Sequence, residues 1–189
     1  GNREEGEKIA AQFKEGLEFL GINVTTLNLV QEYAHLLAFY LDKSDEAIDF
    51  LKRALEIPNL KPEEWGRLKT EMADIYIYDD DPWEATLIYS QVIDGNKMNS
   101  LGDDVKLKKA KLGYYLGNFD WAKAQLDVLK ASTSKLTAND AMELSLLIGN
   151  NLNLDTTAIP LTMFARADLL FFQNKNTESM VILDGLTKM

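Results

Sequence analysis

The 189-residue chain is long enough to bury a sizeable core as one domain and leaves little room for two. A formal charge of -10 sets most of its surface against a nucleic-acid duplex or an anionic leaflet, which excludes both as main partners. With no Cys it has no disulfide, thiol nucleophile or thiolate metal site, and no apolar run approaches the ~20 residues of a membrane span.

Only 4 Pro and 11 Gly interrupt a sequence rich in Leu, Ala, Lys and Glu, so the expected fold class is all-α. Apolar residues at three-and-four spacing predict helices over 4–20, 25–41, 45–57, 62–79, 82–95, 102–117, 119–131, 138–151, 157–174 and 177–188. The first carries Ala10, Phe13 and Leu17 on one stripe and reads as the second helix of a hairpin whose first helix is missing. The second follows Leu29, Val30, Tyr33, Leu36, Leu37 and Tyr40. Ser44 and Thr137 are expected caps, Asp81 before Pro82 is a cap followed by a first-position ring, and Pro62, Glu63 and Glu64 suit the positive end of a helix dipole. Short connections make neighbouring helices antiparallel, hence a series of hairpins.

The hairpins repeat. Their second helices carry a small residue, a large one four later and an apolar one three after that: Ala47, Leu51, Ala54; Ala85, Tyr89, Val92; Ala122, Leu126, Leu129; Ser179, Leu183, Leu186. The small residues lie 38, 37 and 57 residues apart, so the helix near 138–151 is expected to be an insertion. Twelve residues before each stand His35, Ala73, Ala110 and Ala167, where two helices of a hairpin would cross closely.

Met72, Ala73 and Tyr76, then Ala85 and Tyr89, together with Gly117, Phe119 and Ala122 of the next unit, resemble the tetratricopeptide repeat (TPR), whose period is about 34 residues. The resemblance covers residues 25–131 and 157–188, with His35 and Ser179 in place of small residues. It implies a right-handed TPR-like α-solenoid of about ten antiparallel helices, a single domain over 1–189. The apolar last helix, with no polar cap, reads as the edge of a fragment of a longer bacterial protein, or as an end that another copy covers in a homo-oligomer.

In TPR proteins the first helices line a concave face that holds peptides or partner helices. Carried over position by position, that face comprises Glu32, Leu36 and Tyr40; Arg67, Thr70, Asp74 and Tyr78; Lys111 and Tyr115; and Phe164, Asp168 and Phe172. The expected function is a non-catalytic scaffold or adaptor whose partner is a protein or peptide, with no nucleic acid, no membrane insertion and no cofactor. Asp74, Lys111 and Asp168 stand where some family members clamp a terminal carboxylate with Lys and Asn, so mixed charge is expected instead.

Candidate chemistry is sparse. The single His, His35, reads as a buried, hydrogen-bonded structural residue rather than a zinc ligand. Asp79, Asp80 and Asp81 lack the alternate spacing and glycine of a calcium loop and read as a turn and cap, and no glycine-rich phosphate loop occurs. Lys106, Lys108, Lys109 and Lys111 are a solvated helix face or a seat for an acidic segment. The alternative function is a helical module of a surface carbohydrate-uptake system, against which Trp65, Trp83 and Trp121 stand at helix starts rather than in one row. A helical glycosidase would need a deep pocket with two poised carboxyls. A chain that begins at Gly1 rather than Met fits either a removed leader or a trimmed sequence, and a periplasmic or cell-envelope location is expected over the cytoplasm.

Overall fold

The computed structural model describes residues 2–132, 134–154 and 158–188, and among these every regular element is helical. The ten helices are α1 (Asn2–Leu20), α2 (Leu27–Leu41), α3 (Ser44–Leu55), α4 (Pro62–Tyr78), α5 (Pro82–Gly95), α6 (Ser100–Tyr115), α7 (Phe119–Ser132), α8 (Lys135–Leu154), α9 (Ile159–Phe172) and α10 (Asn176–Leu186). Within each of two compact units, helices consecutive in sequence pack on one another, as short connections require. No helix among the described residues is long and apolar enough to cross a membrane. The chain divides into two compact units, Gly1–Asn96 and Lys97–Met189.

In the first unit α2 pairs with α3 and α4 with α5, while α4 also lies against α2 and α3. The core is made by the faces that periodicity assigns: Val30, Tyr33, Ala34, Leu37, Leu51, Leu68, Ile75, Tyr89 and Val92 are all but fully buried. The stripe on α1 is the face that packs. Ala10 and Leu17 are buried, and Phe13 stacks on Tyr33 with centroids 5.9 Å apart. In the second unit α6 pairs with α7 and α9 with α10; α8 lies on α7 and also touches α6 and α9. Ala110, Tyr114, Ala122, Leu126, Ile148, Leu161 and Ala165 share its core.

Each hairpin turns on a residue of left-handed backbone: Asp42 (φ 56°), Asp80 (φ 65°), Gly117 (φ 78°) and Asn174 (φ 59°). These are the residue types that reach that region at least cost. At the last three, the next residue's N–H donates five positions back, Asp81 to Tyr76, Asn118 to Gly113 and Lys175 to Leu170, at 2.8–2.9 Å. Each turn stands seven residues after His35, Ala73, Ala110 or Ala167 and five before Ala47, Ala85, Ala122 or Ser179. The register read from small residues is therefore the register of the turns.

The small residues sit where helices cross. Ala47, Ala73, Ala85, Ala110 and Ala122 have no exposed surface, and Ser179 donates its hydroxyl to the Ala167 carbonyl at 2.8 Å. Serine thus replaces alanine without leaving a buried hydroxyl unsatisfied. Gly113 belongs to the same class: a Cβ there would meet the Trp121 ring at 2.6 Å, so α6 and α7 close on each other only because no side chain intervenes.

Two expected caps are corrected. Ser44 begins α3 without capping it, and its hydroxyl donates to Asp79 at 2.8 Å. Thr137 lies in the first turn of α8 and donates to Asp104 of α6 at 2.8 Å, while the cap is Ser134, whose hydroxyl accepts the Thr137 N–H at 3.3 Å. Asp81 caps α5 as predicted, accepting the Glu84 N–H at 3.2 Å, and the Glu64 carboxylate accepts the Lys61 N–H at 2.8 Å. The three consecutive aspartates are accounted for as hydrogen-bond acceptor (Asp79), left-handed turn (Asp80) and cap (Asp81).

Candidate interaction faces

In the first unit, helical spacing brings Asn28, Gln31, Glu32 and His35 to one face of α2 and Arg67 and Glu71 to one face of α4. Together they line an open groove of about 340 Å³. A hollow of about 310 Å³ shares Asn28, Gln31 and Arg67 and adds Val24, Thr25, Leu27, Lys61, Glu63 and Glu64. Part of the polar lining is internally paired: Arg67 meets Glu63 at 2.9 Å, and His35 Nδ1 meets Glu71 Oε1 at 2.9 Å.

His35 is corrected from buried to half-exposed, while its hydrogen bond is present, to Glu71 of α4. The hydrogen bond to Glu71 raises its pKa above the usual 6.5, with burial opposing and the charges of Glu71, Glu32 and Asp74 assisting. The imidazole also starts a run of rings, stacking on Phe39 at 4.5 Å, which in turn meets Tyr78 at 4.8 Å. Tyr78 donates to Asp42 at 3.3 Å, and Tyr40, 65% exposed, lies 6.0 Å from His35.

The second unit has a corresponding set. Tyr115 and Phe172 face each other at 6.4 Å, and the Lys111 ammonium lies 5.6 Å from the Tyr115 ring. Asp168 accepts the Tyr114 hydroxyl at 3.4 Å, and burial raises its pKa while Lys111 and Tyr114 pull it back. Burial, then Asp168, pushes the Tyr114 phenol far above its ordinary value.

Set in the hairpin register, Tyr40, Tyr78, Tyr115 and Phe172 occupy one position, five residues after the small-residue site of each first helix. All four are at least partly exposed. Leu36, Asp74, Lys111 and Asp168 occupy another, one residue after that site. Two of these are held by tyrosines, since Tyr89 of α5 donates its hydroxyl to Asp74 and Tyr114 donates to Asp168. The solvent-facing assignment of Thr70 is corrected: it is 8% exposed and donates to the Gly66 carbonyl at 2.8 Å, inside its own helix.

Of the tryptophans, Trp83 is 80% exposed at the start of α5, Trp65 lies 5.6 Å from the Lys69 ammonium, and Trp121 packs on Gly113. Residues that the sequence did not single out also contribute. Asn28, Gln31 and Glu71 are each one helical turn from a named neighbour, so spacing alone marks them. The face of α8 bearing Asp140, Glu143, Leu144 and Leu147 had no repeat position to place it. No family model, curated protein or solved structure matches the chain.

Proposed function

We propose that the chain is a non-catalytic, TPR-like scaffold, a solenoid of helical hairpins whose first-helix faces hold a peptide or a partner protein. The observation that carries this reading is the recurrence of Tyr40, Tyr78, Tyr115 and Phe172 at one register position, each beside charged or polar neighbours. Rings that are partly exposed and held on rigid helices supply contact area at low entropic cost, which is what recognition of an extended segment needs. The groove between α2 and α4 adds polar groups able to bond a peptide backbone: the amides of Asn28 and Gln31 and the Arg67 guanidinium.

The test is a peptide-display selection against the whole chain, repeated with Tyr40→Ala/Tyr78→Ala and with Tyr115→Ala/Phe172→Ala. Circular dichroism would confirm that both variants fold. Selected peptides should lose roughly tenfold or more in affinity toward at least one double variant, the usual scale for anchor aromatics. Enrichment of no peptide, or affinities unchanged by both variants, would refute the reading. Enrichment on an oligosaccharide array instead would favour carbohydrate recognition.

A further inference from the structure

α8 stands between the third and fourth hairpins and accounts for the 57-residue interval. It is tied down at two points, Thr137 to Asp104 of α6 at 2.8 Å and Ser145 to Asp127 of α7 at 2.6 Å. Lys123, then Lys130 and Ser145, hold the Asp127 carboxyl far below the ordinary carboxylate range, so this clip is an ionised acceptor at neutral pH. The fixed helix turns Asp140, Glu143, Leu144 and Leu147 toward one side. With Leu107 and Lys111 of α6 and Phe164 and Asp168 of α9, they line a cleft of about 390 Å³.

Leu107, Leu144, Leu147 and Phe164 are each only partly covered, so an apolar group seated among them removes further apolar surface from water. The apolar lining continues past Leu147 and Phe164 into a hollow of about 240 Å³ with Pro160, Leu161 and Leu186. The cleft lining carries three carboxylates, Asp140, Glu143 and Asp168, against the single ammonium of Lys111. Lys111 acts on Asp168 and lies on the Tyr115 ring, which leaves the α8 side of the mouth acidic. Asp140 and Glu143 lie one helical turn apart, a separation that suits the forked donors of a guanidinium.

We infer that this cleft binds a protein ligand through an apolar side chain next to a basic one, a Leu–Arg pair, with the apolar group among Leu107, Leu144, Leu147 and Phe164 and the guanidinium at Asp140 and Glu143. This rests on the scaffold reading and adds to it the chemistry of the ligand and a seat that shares Lys111, Phe164 and Asp168 with the first-helix face and is completed by α8, a helix outside the hairpin series.

The experiment is an NMR titration of the isotope-labelled full chain with the hexapeptide acetyl-Gly-Ser-Leu-Arg-Ser-Gly-amide and its Arg→Glu and Leu→Ser forms. Resonances of Leu144, Leu147 and Phe164 should move with the Leu–Arg peptide. Either peptide change, or the exposed pair Asp140→Asn/Glu143→Gln in the chain, should weaken binding roughly tenfold, the scale of a lost charge-assisted contact. Equal affinity for the Glu peptide, or for the double variant, overturns the inference. Shifts confined to Tyr40, Tyr78, Tyr115 and Phe172 overturn it while leaving first-helix recognition standing. Cleft shifts that follow protein concentration without peptide identify a second copy as the occupant and also overturn it.

Discussion

Gly117 isolates the energetic cost of the hairpin turn. Its φ is 78°, and a Cβ added there would meet nothing within 4 Å, so Gly117→Ala tests backbone conformation without a packing term. A non-glycine residue in left-handed backbone costs about 1–2 kcal/mol, while Ala recovers about 0.4–1 kcal/mol by restricting the unfolded chain. The net is a destabilisation of about 1 kcal/mol. For a unit of this size that is a fall in Tm of roughly 4–8 °C. Gly117→Asn should cost clearly less than Ala, because Asn occupies this conformation at Asn174. The reverse change, Asn174→Gly, should be neutral to slightly stabilising. Calorimetry and urea titration of the four proteins should give the order Gly above Asn above Ala at position 117. Equal stability of the Ala and Gly forms would refute the shared-turn account.

The crossing positions give further expectations. Ser179→Ala removes the bond to the Ala167 carbonyl and should cost no more than about 1 kcal/mol, whereas Ser179→Leu should cost about 1–3 kcal/mol by overpacking, as urea midpoints would read. Gly113→Ala should destabilise the second unit and shift Trp121 fluorescence. In a Trp121→Ala background the same change should become stabilising by up to about 1 kcal/mol through helix propensity, a sign reversal that a double-mutant cycle detects. His35 is held above its ordinary value, so its contribution to stability is complete below pH 6.5 and is lost as pH rises through the folded-state pKa. The unfolding midpoint of the first unit should therefore fall across that window, and Glu71→Gln should flatten the dependence; an unchanged pH profile in the variant would contradict the pairing.

Much of the fold was legible because it is written in small residues and periodicity. Ala73, Ala85, Ala110 and Ala122 are fully buried where helices cross, so their spacing carries the register of the turns. Helix ends were less legible. A hydroxyl near a helix start has several available partners, and Ser44 and Thr137 bond to Asp79 and Asp104 on other helices rather than to their own first turns. Whether a first-helix side chain faces solvent was also hard to read, since that depends on the neighbouring helix. Arg67 and Tyr40 are exposed, but Thr70, one turn from Arg67, lies under packed residues. Of the α8 cleft, Lys111, Phe164 and Asp168 were legible as first-helix positions of the repeat, whereas Asp140, Glu143, Leu144 and Leu147 of α8 stand outside the repeat and had no position to mark them.

The most direct test of the central claim is amide hydrogen exchange with a display-selected peptide bound. Protection should rise on α2 and α4, or on α6 and α9, around Tyr40, Tyr78, Tyr115 and Phe172, and stay unchanged on the exposed faces of α3, α5 and α7. Protection confined to those second-helix faces would contradict the proposal that first helices form the binding surface.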